Sequence, residues 1–245
     1  MPLLTQNSEL KPHRIYNFAI PAWFIRLDGE IFKTCPNAGA CAKVCYARNG
    51  TYLFSNVLAA HTKNLRLTLD QPILFRAMIN KELSHKRFKP TFEPRQMPQG
   101  AELTDDHWLQ AWIRNGGAAV RIHDSGDFYS EQYLYLWFAI AADNPQVLFY
   151  AYTKEVAMLK QHGNEAPINF RWLYSTGGLQ DDLITPDDRR ADVFPNEQAI
   201  TDAGYTSQDA TDLLAILLKT NLVGIPANNI KHFNKKIAGR RFSEL

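Results

Sequence analysis

The chain has no cysteine outside one short stretch, no long apolar run, no excess of either charge, and none of the short motifs of nucleotide hydrolysis or proteolysis. Each absence removes a class of function. No run approaches the roughly 20 apolar residues needed to cross a bilayer. Met1 to Arg14 is mixed and polar, without the apolar segment of a secretory leader, so the expected location is the cytoplasm and no membrane contact is expected. With 27 basic against 25 acidic residues the net charge is +2, which gives no global field of the kind a dedicated nucleic-acid binder carries. G-x-G-x-x-G, P-loop, H-E-x-x-H and G-x-S-x-G patterns are all missing, leaving nucleotide hydrolysis, zinc proteolysis and hydrolase-type nucleophilic catalysis without support. No internal repeat or low-complexity tract occurs. A chain of 245 residues buries roughly 70–75% of its unfolded surface. It is therefore read as one domain over residues 1–245 that needs no disulfide.

What is present is a cluster of thiols. Cys35, Cys41 and Cys45 are the chain's three cysteines, and packing scatters cysteines through a core instead of gathering them. An odd number cannot pair fully, which argues against a disulfide framework. The chemistry expected is metal ligation. Zinc asks for four protein ligands, so a distant histidine or carboxylate would complete its site. A [4Fe-4S] cluster suits three thiolates in one loop because its fourth iron can stay open or take another ligand. Free thiolates and such clusters persist in a reducing compartment.

Along the chain, Ile15 to Leu27 reads as strand structure interrupted at Pro21 and ending at the Asp28-Gly29 turn signal, with the cysteine loop following. Tyr52 to Leu69 and Pro72 to Leu83 carry helical periodicity. Lys86 to Gly100 reads as an irregular connection, and Thr104 to Asp106 as the cap of a helix reaching Ile113. Strands and helices then alternate: strand 118–123, helix 130–142, strand 147–152, helix 155–161, strand 168–174. Further on come a short strand at 191–194, a helix at 209–219 and a strand at 222–225. Alternation at this spacing implies an α/β fold of parallel strands with outer helices.

In such folds ligands bind at the carboxyl ends of strands. The polar sets found there are His123, Asp124, Ser125, Gly126 and Asp127; Tyr152, Thr153 and Lys154; and Ser175, Thr176, Gly177 and Gly178. They are the candidate lining of a cofactor or ligand site, with His123 and Asp124 as candidate fourth ligands. Asp127 and Ser130 compete to cap the next helix. Arg121 either faces outward or pairs with one of these acids. At the end of the chain Lys231, Lys235, Lys236, Arg240 and Arg241 surround Ile230, Phe233 and Ile237. The plain reading is a solvated helix packed by one apolar stripe, and the alternative is contact with nucleic acid or another anionic partner.

The blocks from Thr34-Cys35-Pro36 to Cys41, Cys45-Tyr46-Ala47, Arg121 to Tyr129, and Phe149 to Lys154 resemble the phage gene-product-88-like family, which implies a viral origin and a host-cytoplasm location. More distantly the arrangement resembles the radical S-adenosylmethionine superfamily, although the spacing here is C-x₅-C-x₃-C where that superfamily has C-x₃-C-x₂-C. That resemblance implies a partial or irregular TIM-like barrel. It also implies a [4Fe-4S] cluster on Cys35, Cys41 and Cys45, and S-adenosylmethionine on its open iron with Ser125-Gly126-Asp127 as a counterpart binding loop. Three readings stay open: a radical enzyme acting on a small-molecule ligand, a non-catalytic iron-sulfur protein serving a redox partner, and a structural zinc module.

Overall fold

The computed structural model describes residues 2–227 and 231–245, with the side chains of 231–233 left aside. Strand β1 (Ile15–Phe18) is followed by the hairpin of β2 (Phe24–Leu27) and β3 (Glu30–Lys33). Asp28 and Gly29 make the hairpin turn with φ of 50° and 92°, the two positive values that a type I′ connection requires. The cysteine loop leads into the single turn α1 (Cys41–Val44), then α2 (Ser55–Asp70), α3 (Pro72–Leu83) and α4 (His107–Asn115). The alternating part comprises β4 (Ala119–Ile122), α5 (Glu131–Asp143), β5 (Leu148–Thr153), α6 (Val156–His162), β6 (Phe170–Ser175) and β7 (Arg190–Phe194). The chain ends with α7 (Glu197–Asp202), β8 (Thr206–Ser207), α8 (Leu214–Leu217), β9 (Leu222–Pro226) and α9 (Lys231–Ile237).

Seven strands form one sheet in the order β1-β4-β5-β6-β7-β9-β8, and all its ladders are parallel. Strands join in chain order from one edge until the last pair, so every carboxyl end points the same way. No ladder among the described residues joins the edges β1 and β8. The observed architecture is thus an open parallel α/β sheet with helices.

Both faces of the sheet are covered, as a parallel sheet requires. On one face Phe18, Val120, Ile122, Phe149 and Ala151 pack with Phe75, Ile79, Leu134 and Trp137 from α3 and α5. On the other, Ile15, Ala119, Leu148, Tyr150 and Leu173 pack with Leu109, Trp112 and Ile113 from α4 and with Leu213, Ala215, Ile216 and Leu217. The period-two alternation along β4 therefore sends Val120 and Ile122 one way and Ala119 the other.

Two local expectations are corrected and one open alternative is decided. The cysteine loop does not follow the first sheet strand directly, because the β2–β3 hairpin intervenes. The expected helix at 209–219 contracts to Leu214–Leu217: its residues are buried on every side, and the chain around it pairs with another segment, Thr104 N–H donating to Leu217 O and Lys219 N–H to Glu102 O. Ser130, not Asp127, caps α5, its hydroxyl accepting from Tyr133 N–H at 3.2 Å. Among the expected tail residues Ile230 lies outside the described residues, as do the side chains of Lys231 and Phe233.

Candidate functional site: a thiol loop seated on the strand ends

The loop from Thr34 to Cys45 lies across the carboxyl ends of β4, β5 and β6 and is held by backbone and carboxylate contacts. Thr34 O accepts from Asp127 N–H at 3.0 Å, Gly177 O from Cys41 N–H at 3.0 Å, and Asn37 O from Leu179 N–H at 3.0 Å. Glu155 grips Asn37 twice, at its backbone N–H (3.2 Å) and its side-chain amide (2.6 Å). Gly39, at φ +51°, sits so tightly on the glycine turn that a Cβ there would lie 2.7 Å from Gly177 O. No other residue fits that position, for both backbone conformation and space.

Beneath the loop the polar residues bond chiefly to one another. Asp127 accepts from Thr153 Oγ1 (2.7 Å), Lys154 N–H (2.9 Å) and Phe128 N–H (2.8 Å). The Lys154 ammonium donates to Ser175 O, Ser175 Oγ and Thr176 O at 2.8–2.9 Å. Asp181 receives the N–H groups of Gly177 and Gly178 at 2.7 and 2.9 Å. Burial raises the Asp127 pKa despite the three donors. Burial and the Asp127 carboxylate push Glu155 up to about 7, against the two Asn37 bonds.

The expected site residues divide. Asp127, Thr153, Lys154, Ser175, Thr176, Gly177 and Gly178 converge under the cysteine loop. His123 turns away into the aromatic core, where its Nε2 meets Tyr133 Oη at 2.9 Å and its ring stands edge-on to Phe128, and burial lowers its pKa to about 3. Ser125 donates to Ile20 O at 2.8 Å, and Gly126 at φ +95° makes room for Ile20. Tyr152 points to the opposite sheet face and donates to Asp212 at 2.7 Å.

Asp124 belongs to a neighbouring network in which Arg121 pairs with it, one of the two alternatives the sequence left open, while Tyr52 and Asp212 were missed. Tyr52 donates to it at 2.6 Å, and Arg121 lies between it and Asp212 at 3.8 and 3.5 Å. Tyr46, next to Cys45, donates to Asp124 O at 2.6 Å, tying the loop to this network. Asn37, Glu155 and Asp181 were also missed. Their signal was local, since Glu155 adjoins Lys154, Asn37 lies between two cysteines, and Asp181 follows the glycine pair.

The three thiols differ in setting. Cys35 Sγ accepts from Trp23 N–H at 3.2 Å, and burial followed by the Asp127 charge pushes its pKa up to about 12. Cys41 opens the single turn α1 and Cys45 is the residue just past its end. The Cys45 thiol, joined by the Lys154 charge and opposed by burial, lowers Cys41 to about 6, while the same interaction raises Cys45. All three are partly exposed.

This geometry corrects the metal expectation. Among the described residues no three histidine, cysteine, aspartate or glutamate side chains are placed to hold one metal ion. His123 is directed into the core and Asp124 to Tyr52 and Arg121, so neither is available as a further ligand. The [4Fe-4S] cluster on Cys35, Cys41 and Cys45 is withdrawn, and with it the iron-sulfur electron-transfer and structural zinc alternatives.

The family described as "Gene product 88" matches residues 2–244. The chain belongs to this family. A curated relative, the "Gene 88 protein" of Mycobacterium phage L5, is 30% identical over 122 residues, covering 49% of this chain and 43% of that protein. The aligned part therefore spans less than half of this gene 88 relative, a bacteriophage protein in line with the viral origin expected from the sequence. No solved structure matches the chain. None of these comparisons links the family to the radical S-adenosylmethionine superfamily. Among the described residues no helix is long and apolar enough to cross a membrane.

Glu155 gives a prediction about the anchor. Its pKa is raised from 4.5 to about 7, so between those values the folded chain keeps a proton that the unfolded chain releases. Its contribution to stability is therefore greatest below pH 4.5, falls as pH rises through about 7, and is level above. Relative to Glu155→Gln, the native chain should lose on the order of 2–3 kcal/mol between pH 4.5 and 8. Urea midpoints across that range measure it, and parallel pH curves for the two proteins would refute it.

Proposed function

We propose that the protein carries out thiol–disulfide exchange through Cys41 and Cys45. The observation that carries this reading is the placing of the two thiols at the two ends of the single turn α1, in a partly exposed loop, with the Lys154 charge acting on Cys41. The four-residue turn leaves Cys45 with non-helical backbone at its end, where a local backbone adjustment can bring the two sulfurs to disulfide distance.

The Cys41 thiolate attacks one sulfur of a substrate disulfide, forming a mixed disulfide and expelling the other half as a thiolate. Cys45 gives up its proton to solvent, attacks the Cys41 sulfur and expels the remaining half. The substrate gains two electrons and becomes two thiols, and the protein becomes the Cys41–Cys45 disulfide. Cys35 takes no part. In this reading residues 1–245 act as one domain, and the sheet is a segment of a barrel-like wrap, a view supported by its chain-ordered strands. The residues converging beneath the loop, Asp127 and Thr153 to Lys154 with Ser175 to Gly178, hold the dithiol in place.

The reduced protein treated with 5,5′-dithiobis(2-nitrobenzoate) should release two equivalents of coloured thiolate per dithiol and retain no adduct, with peptide mapping finding Cys41 joined to Cys45. Cys45→Ser should instead trap a stable mixed disulfide on Cys41. Primary modification of Cys35, or adducts on the native protein that never resolve, would overturn the reading.

A further inference from the structure

The basic carboxyl-terminal segment is not a freely solvated tail. Ile237 and Phe242 are buried against Val44 and Ala227, with Cys41 and Val193 packed alongside, which docks α9 onto the turn that carries the reactive cysteines. Lys236 strengthens the dock by donating to Lys43 O at 2.8 Å.

Its cations then meet two fates. Arg241 is neutralised, lying 3.1 Å from Glu244 and 3.8 Å from the buried Asp192, with its guanidinium over the Phe194 ring. Lys236 and Arg240 have no carboxylate partner among the described residues, and neither has Lys43 across from them. These three line a cleft of about 360 Å³ together with Ala40, Val44 and Leu245. The lining contains no acidic side chain. Even with a terminal carboxylate on Leu245 the local balance is positive.

Three like charges around one concavity repel one another, and low-dielectric walls focus their field on the space between them. The repulsion is relieved by an anion. Arginine offers a planar fork to paired oxygens and lysine a point charge, the combination that suits phosphate. The volume falls at the lower end of the range for small-molecule sites and the open cleft gathers its charges in one group, where a nucleic-acid backbone would ask for a row of them.

We propose that this cleft binds a small phosphorylated molecule, a polyanion of pyrophosphate to nucleotide size, beside the Cys41–Val44 turn. The proposal stands on the cleft and its charges and does not depend on the thiol chemistry.

Calorimetric titration of the full chain with inorganic pyrophosphate tests it, with a single-stranded oligonucleotide in a parallel arm. Saturable binding at one site is expected, weakened roughly tenfold or more by Arg240→Glu and by Lys43→Glu, as for a lost charge-assisted contact. Lys235→Glu, on the same helix but outside the cleft, should leave it nearly unchanged. Melting curves establish that the variants are folded. No saturable heat, or an affinity that ignores Arg240→Glu and Lys43→Glu, would overturn the proposal. So would an oligonucleotide that outcompetes pyrophosphate with an affinity growing with its length, which would make the face a nucleic-acid contact.

Discussion

Limiting iodoacetamide at pH 7 should label Cys41 on the order of a hundredfold faster than Cys35. With values of about 6 and about 12, the thiolate fractions at pH 7 are roughly 0.9 and 10⁻⁵. The more basic sulfur is the better nucleophile, and a Brønsted slope of about 0.4–0.5 over six units returns a factor of roughly 10²·⁴ to 10³ to Cys35. The population term is the larger, so Cys41 wins. Labelling of Cys41 should rise through pH 6 and flatten above it. In Cys45→Ala that midpoint should move up toward the ordinary thiol range, because the neighbouring Cys45 thiol is the leading cause of the depression. Peptide mapping after a short exposure decides the matter. Equal labelling of the three cysteines would show that the loop does not distinguish them.

The second large effect belongs to Arg121. Its guanidinium opposes Asp124 and Asp212, whose side chains are 15% and 12% exposed. Burial works against its charge, and Asp212, Tyr46, Asp124 and Tyr152 together more than offset this. Arg121→Met keeps much of the packing but strands two carboxylates among Tyr46, Tyr52, Tyr150 and Tyr152. Removing one partner of a buried pair costs roughly 3–5 kcal/mol, which for a chain of this size lowers the melting temperature by roughly 6–20 °C. The companion Arg121→Met/Asp212→Asn should recover part of the loss, since it removes one stranded charge. A single variant that melts within a degree or two of the native protein would show that solvent already screens the network.

The legible parts of the sequence were those where local periodicity and burial agree. Pro72 to Leu83 reads as α3 with the same limits because proline suits a first turn and Phe75, Ile79 and Leu83 recur on one buried face. The strands at 118–123, 147–152 and 168–174 appear within two residues of their places, since a parallel sheet buried on both faces makes short apolar runs. The segment 209–219 misled because its leucines satisfy a helical pattern while tertiary pairing with residues 102–104 decides its backbone. At the site, the gathering of the cysteines was visible but their orientation was not. No spacing rule states that Cys35 faces the Trp23 amide while Cys41 and Cys45 face each other. His123 shows the same limit: a histidine beside two carboxylates looks functional, yet its φ of 66° swings the side chain into the core, a backbone property that sequence does not display.

The pairing of β1 with β4 spans about a hundred residues of intervening chain, and the partners that seat the cysteine loop, Asp127, Glu155, Gly177 and Phe242, come later still. During synthesis the three sulfurs emerge from the ribosome early and wait, uncovered, for nearly the whole polypeptide. Distant pairings of this kind form slowly, and at about 5–20 residues per second translation alone imposes a delay of roughly ten seconds or more. An oxidant met in that interval would find no distinction among the thiols, so the discrimination seen in the finished molecule is acquired only when the last elements lock into place.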